Sequence, residues 1–284
     1  LKTTLENANL TVQIKAMGAE LVSIKDQNDK EYIWEGNPEF WGKHSPVLFP
    51  IVGALKNDSY LCKGKEYKMS RHGFAREMEF KLIEKTNTKA VFSIESNATT
   101  FEKYPFAFEL QIIYTLENKN LHVGYKVINR NDYEMPFSIG AHPAFALPNK
   151  FEEYSLQFSN QGILAYHLLE DNLIADSTKE LPLDNKNSIA LQYSLFENDA
   201  LIFKTLTSKT LSIIEDNTEI LRIQYTDFPS LGIWTMVNAP FVCIEPWLGY
   251  ADTTEANGNI FEKEGILKLA ANKSFVSKYT IEIV

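Results

Sequence analysis

Alternation of apolar and polar residues at a period of two constrains this chain more than any other feature. Phe106, Phe108, Leu110, Ile112, Tyr114 and Leu116 alternate with mostly polar neighbours, and after Glu117-Asn118-Lys119-Asn120 the pattern resumes at Leu121, Val123, Tyr125 and Val127. Successive side chains of a strand point to opposite faces, so this reads as a long hairpin closed by a turn. Shorter runs recur at Leu10/Val12/Ile14, Ala90/Phe92/Ile94, Tyr154/Leu156/Phe158, Leu164/Tyr166/Leu168 and Leu221/Ile223/Tyr225, and Tyr279 to Val284 reads as a last strand. No long stretch keeps the i, i+3, i+4, i+7 spacing of an amphipathic helix, and the βαβ rhythm of a nucleotide-binding sheet is missing. The expectation is an all-β chain with few, short helices. Its 284 residues exceed an ordinary domain, yet single β sandwiches reach ~200–250. With no Pro- or Ser-rich linker and no fixed-period repeat, one domain over 1–284 is the simpler organisation.

Charge narrows the partners. Lys plus Arg number 28 against 37 Asp plus Glu, a formal charge of −9, which repels nucleic-acid phosphates and anionic lipid. Cys62 and Cys243 are the only cysteines, far apart and outside any C-x-x-C arrangement, so neither a disulfide framework nor a thiolate zinc site is expected. Nothing approaches ~18 consecutive apolar residues, and Leu1 to Leu10 has no signal-peptide pattern. A reducing, cytoplasmic setting is expected, for a monomer or a homodimer.

Three segments carry residues suited to chemistry. In Ser70-Arg71-His72-Gly73-Phe74-Ala75-Arg76, a Gly after a His permits a tight bend, and two of the chain's four arginines offer planar donor forks to hydroxyls or carboxylates. In Ile139-Gly140-Ala141-His142-Pro143-Ala144-Phe145, the proline keeps His142 on extended or turning backbone. In Phe241-Val242-Cys243-Ile244-Glu245-Pro246-Trp247, a carboxylate stands within an apolar strand. An ionised, unpaired Glu there costs several kcal/mol, so Glu245 must have partners, be protonated or face a cavity. A structural ion pair would satisfy it equally well, and taken singly His72 and His142 also fit as hydrogen-bonded structural residues. His44, His122 and His167 are weaker candidates, the last two placed opposite an apolar face and so towards solvent. No H-x-H or H-E-x-x-H pairing is present, so no metal is expected. G-x-G-x-x-G, G-x-x-x-x-G-K-[ST] and G-x-S-x-G are absent as well. Among the aromatics, Trp247 and Trp234 are the ones to place on a sugar-stacking wall.

These segments resemble the aldose 1-epimerase (mutarotase) family, in particular its bacterial galactose-mutarotase-like branch. His-Gly-Phe-Ala-Arg at 72–76, Gly-Ala-His-Pro-Ala-Phe at 140–145 and Ile-Glu-Pro-Trp at 244–247 look like that branch's signature segments, in order. The likeness extends to Pro46-Val47-Leu48-Phe49-Pro50-Ile51-Val52-Gly53 and Gly249-Tyr250-Ala251-Asp252, covering essentially the whole chain. It implies a large antiparallel β-supersandwich with a sugar groove on one face, and interconversion of the α and β anomers of an aldose without a cofactor. Carried over residue by residue, it makes Glu245 the general base, His142 the general acid and His72 a second imidazole at the substrate. Arg76, Arg71, Trp247, Trp234, Asp252 and Phe145 are the expected sugar contacts. The chain departs from the pattern at Ala54, where many relatives place a basic residue; Arg71, Arg76 and Lys56 are the basic groups nearby in the sequence.

Carboxylate and imidazole suit mutarotation because it needs one proton removed and one delivered, with no electron sink. The acidic total and Ala54 favour a neutral aldohexose over a hexose 6-phosphate. Two other readings stand beside it: a non-catalytic carbohydrate-binding sandwich, which has no use for an acid–base pair, and a glycoside hydrolase, which normally needs two carboxylates flanking one bond.

Overall fold

The computed structural model describes residues 2–159 and 163–284, and in it the alternating runs become antiparallel strands, all in two large sheets except Leu10/Val12/Ile14, which joins a separate three-stranded sheet. The hairpin forms as the alternation demands. Phe108–Glu117 pairs with Asn120–Asn129 from Glu117↔Asn120 to Phe108↔Asn129, and Asn118 takes the left-handed φ of 52° that the tight turn requires. This hairpin lies within a nine-stranded sheet ordered Ser188–Ala190, Tyr154–Phe158, Thr210–Glu215, Thr218–Gln224, Ser274–Ile283, Asn120–Asn129, Phe108–Glu117, Lys89–Glu95 and Lys81–Lys85. A seven-stranded sheet runs Ile139–Gly140, Phe241–Leu248, Ser230–Trp234, Leu201–Phe203, Leu164–Glu170 and Leu173–Leu181, with Ala144–Ala146 pairing further along Phe241–Leu248. The inner faces share one apolar core: Leu110, Val123 and Tyr279 of the first sheet belong to the same buried cluster as Leu231, Val242 and Ile244 of the second. Phe158 and Phe203 meet between the sheets with ring centroids 6.2 Å apart. Ala98–Lys103 is the one α-helix among the described residues, started by an Asn97–Thr100 capping box.

Leu164 and Tyr166 face the core as the alternation demands, while Leu169 lies with His167 on the other face and packs on the apolar cluster that holds Trp247. A register shift against Leu173–Leu181 falls between His167 and Leu169. His122 and His167 are half-buried rather than turned fully to solvent.

Strand Phe241–Leu248 is buried at every position. Its even residues Val242, Ile244 and Leu248 enter the core between the sheets. Its odd residues point the other way: Phe241 and Cys243 join a second apolar cluster with Trp34 and Ala144, and Trp247 a third with Leu48 and Val52. Glu245 is thus the polar member of an outward-facing row that is itself covered.

The N-terminal sheet Lys2–Glu6, Leu10–Lys15 and Glu20–Asp26 supplies the buried carboxylate that anchors part of this cover. Glu20 accepts the backbone N–H groups of His44 at 2.6 Å and Ser45 at 3.0 Å and pairs with Lys15 Nζ at 2.5 Å. Burial works to raise its carboxyl, but the bonds from His44 and Lys15 outweigh this and hold it down at about 2. A carboxylate depressed in the folded state stabilises above its unfolded value. That stability is complete above about 4.5 and lost as pH falls towards about 2. Glu20→Gln, which keeps the shape and loses the charge, is expected to lower the unfolding free energy by about 2–3 kcal/mol at neutral pH. Denaturant unfolding across an acid series should show the difference from wild type shrinking towards low pH.

Candidate active site

Register, rather than any local motif, brings His142 and Glu245 together. Gly140 pairs with Trp247 and Ala144 with Cys243 on the same strand, so counting inward sets His142 directly across from Glu245. Facing residues of an antiparallel pair hold their Cβ atoms ~4.5–5.5 Å apart. Pro143 has no N–H to continue the ladder, and the segment stays docked through Ala141 N–H to Pro246 O at 3.0 Å and Ile244 N–H to Pro143 O at 3.2 Å. His142 Nε2 consequently lies 3.2 Å from Glu245 Oε2. The approach is a contact rather than an aligned hydrogen bond, since Oε2 and His142 Nδ1 find no hydrogen-bond partner among the described residues.

Burial dominates the electrostatics of this pair. It raises the Glu245 carboxyl well above the carboxylate range, an effect that Arg71 opposes and Asp199 reinforces. It pushes the His142 imidazole down to about 3. Both directions disfavour charge, so the pair holds a single proton over a wide pH range, with the titration belonging to the pair. Trp41 stacks on the His142 ring at 4.7 Å between centroids, and Trp234 meets it edge-on at 5.8 Å.

His72 arrives from the other side. The chain from Leu48 to Gly53 bonds both neighbours: Leu48 exchanges two backbone bonds with Gly140, and Phe49 O accepts from Phe74 and Ala75. His72 sits at φ 69°, a strained conformation for a residue with a Cβ. A reciprocal clamp holds it, with His72 N–H donating to Gly53 O at 2.9 Å and Gly53 N–H donating to His72 Nδ1 at 3.1 Å. Arg71 Nε is also placed to donate to His72 Nε2, at 3.2 Å. A neutral imidazole has one acceptor nitrogen, so both bonds cannot hold at once. The buried backbone amide decides between them, because the Arg71 side chain is partly exposed and can turn aside. His72 therefore carries its proton on Nε2. Burial first, then His142 and the two arginines, keep this ring well below the ordinary imidazole value and so neutral; its ring centroid lies 5.7 Å from that of His142.

These groups line one cavity of about 440 Å³. Of the residues expected from sequence, Glu245, His142, His72, Arg71, Arg76, Trp234 and Trp247 all border it. Arg71 Nη1 donates to Asn172 Oδ1 at 3.0 Å and stands 3.9 Å from Asp199 Oδ2, while Arg76 Nη2 donates to Arg71 O at 2.9 Å. Trp247 forms part of the wall with its ring packed against Gly140 and Gly232, where a Cβ would fall 2.6 and 2.4 Å from the indole.

Two expectations require correction. Phe145 pairs with Val242, which puts it on the core face, where it is 1% exposed. Asp252 is buried away from the cavity, bonded to Lys263 Nζ at 2.9 Å and to Lys56 N–H at 2.9 Å. It ties the 249–254 segment to the Gly53 loop, which its own N–H also reaches through Ala54 O at 2.8 Å. Ala54 lies in that tie, and Lys56 turns its ammonium to Thr254 O at 2.6 Å. Trp41, Asn172, Asp199 and Leu169 border the cavity without having been singled out from sequence. A clue existed only for Trp41, one of four tryptophans; the others come from loops and from the bulged strand.

A β sandwich carrying this aromatic cavity has the galactose mutarotase-like fold. The chain belongs to the aldose 1-epimerase family, whose sequence profile matches residues 2–268. It is 37% identical to the protein LacX, plasmid, of Lactococcus lactis subsp. lactis, over 99% of this chain and 98% of that one. The structure of a galactose mutarotase related enzyme from Lactobacillus acidophilus superposes with a TM-score of 0.95 at 35% identity, covering 100% of this chain and 97% of that one. A galactose mutarotase-like protein from Lactobacillus casei ATCC 334 gives 0.94 at 29% identity, with both chains covered in full. No helix among the described residues is long and apolar enough to cross a membrane.

The tautomer of His72 is directly measurable. Long-range ¹H–¹⁵N spectra should show a neutral ring protonated on Nε2 throughout the neutral range, and a His72 resonance titrating near the ordinary value of 6.5 would contradict the clamp.

Proposed function

We propose that this protein interconverts the α and β anomers of a neutral aldohexose by acid–base ring opening and closure, without a cofactor. The observation that carries the reading is the cross-strand His142–Glu245 pair, 3.2 Å apart at the wall of an aromatic cavity. The pair's one proton, which burial favours on Glu245, first passes to His142 Nε2, 3.2 Å away; Glu245 then takes the proton of the anomeric hydroxyl while His142 delivers one to the ring oxygen. The C1–O5 bond breaks, leaving an aldehyde at C1 and a hydroxyl at C5. After rotation about C1–C2 both transfers reverse on the other face of the carbonyl, which returns the carboxylate and the imidazolium. The pair begins and ends with one proton, so turnover needs no exchange with solvent. Positioning and proton transfer, the latter worth ~10²–10⁴-fold, suit a reaction that already proceeds slowly in water.

The remaining groups fit sugar binding. His72 Nε2–H is a neutral, fixed donor for a hydroxyl oxygen, and the guanidiniums of Arg71 and Arg76 add donors. Trp247 and Trp234 offer apolar ring faces. A neutral sugar is favoured over a 6-phosphate because Arg71 already has Asn172 and Asp199 beside it, and the Asp199 carboxylate would repel a phosphate dianion.

Polarimetry on freshly dissolved galactose, glucose and glucose 6-phosphate tests the reading, with the larger kcat/KM expected for a neutral hexose. Glu245→Gln and His142→Asn should each lower kcat by several orders of magnitude with little effect on sugar binding; near-normal turnover in both would overturn their assignment, and sugar binding without turnover in the wild type would leave a binding protein.

The pH profile follows from the one-proton pair. The acid limb should fall near His142's displaced value of about 3 rather than its ordinary 6.5. The alkaline limb should mark loss of the pair's only proton, above the usual carboxylate range because the Glu245 carboxyl is raised. A single acid limb near 6.5 would overturn this order.

A further inference from the structure

A thiol stands on the same row as the acid–base pair. Cys243 precedes Glu245 by two residues on strand Phe241–Leu248, so their side chains share a face. Pairing with Ala144 on one side and Trp234 on the other keeps it fully buried. One donor atom from each of His142, Cys243 and Glu245 lies within 4.8 Å of the other two, and Cys243 is a free thiol. The mechanism gives this thiol no task. A second observation comes from Glu245, 2% exposed, whose Oε2 makes no hydrogen bond among the described residues.

The geometry points to a binding site for a thiophilic divalent cation of the zinc class, held by His142 Nε2, Cys243 Sγ and a Glu245 carboxylate oxygen, with a fourth position facing the cavity. Imidazole, thiolate and carboxylate form a donor set that zinc accepts, whereas magnesium and calcium prefer oxygen alone. Tetrahedral ligands at zinc bond lengths lie about 3.3–3.7 Å from one another. The His142–Glu245 separation of 3.2 Å is already close to that, so the adjustment falls on Cys243, by about 1 Å at most. Binding releases the thiol proton and the proton shared by the pair to solvent. The metal then occupies the lone pairs that proton transfer uses, so the loaded protein is inactive. That consequence rests on the acid–base reading, while the binding itself does not.

Cobalt(II), added to the metal-free protein and followed by absorption, tests the site. Wild type should show one saturable site with tetrahedral visible bands and a near-ultraviolet thiolate-to-cobalt transition, displaced by zinc and unaffected by magnesium. Cys243→Ser should abolish the thiolate band and weaken binding by about 100-fold or more, while leaving metal-free turnover unchanged. Cys243→Ala, checked by circular dichroism, serves if the serine variant fails to fold. Glu245→Gln should weaken binding with the band retained. Zinc should inhibit wild type at the concentration at which it binds, and chelation should restore full activity. No saturable cobalt site, or a thiolate band that survives Cys243→Ser, would overturn the proposal. A cobalt-loaded protein with the band present and full turnover would uphold the site and overturn the acid–base reading instead.

Discussion

Coverage of one strand on both faces is the constraint on which the site depends. Phe241–Leu248 sends its even residues into the core between the sheets and its odd residues into a second apolar layer. A carboxylate on that strand is desolvated from either direction, and hydrogen-bonded solvent cannot be the default partner of Glu245. The register then delivers an imidazole to the same spot, under the same desolvation. Two groups that water would hold at different charges are thereby both pushed towards their uncharged forms. A pair of this kind exchanges a proton with little change in net charge, which a dry environment tolerates better than creation of an isolated ion.

The loops are held by a separate set of interactions, buried and largely backbone-directed. Glu20 fixes the amides of His44 and Ser45, just after the segment bearing Trp41. Asp252 and Lys263, both buried, join the 249–254 segment to the Gly53 loop, and Gly53 in turn sets the proton on His72. A backbone amide thus determines which nitrogen of the His72 ring carries its proton. Burial works against the charge on Lys263 and Asp252 sustains it, so neither member of the pair is comfortable without the other.

Much of the architecture was legible because period-two alternation is imposed by burial of one sheet face, and the hairpin over 106–127 shows it unbroken. Glu245 and His142 stood out for a different reason: an apolar strand interrupted by a carboxylate and a His before Pro143 are local departures from pattern. Phe145 was misplaced although its position carried the answer, since it shares a face with Val242 and not with Cys243. Asp252 was misplaced because a buried ion pair and a ligand contact look alike in one dimension; its partner, Lys263, lies in a segment with no distinguishing pattern. Asn172 and Asp199 could not be read from the sequence at all, since turns are rich in such residues for backbone reasons. Leu169 was passed over because the apolar run at Leu164 and Tyr166 marks the core face, and Leu169 lies on the other.

Trp247 lies against two glycines on neighbouring strands, Gly140 and Gly232, with no room for a methyl group beneath it. The indole thus rests on bare backbone, and the height of this part of the wall is set by the absence of two side chains. A substituent at either glycine has nowhere to go except through the ring, which would tilt into the cavity. Selectivity for the size of a bound molecule can therefore be adjusted from beneath, at positions that never touch it, and variation in this family need not be sought only among the residues that line the opening.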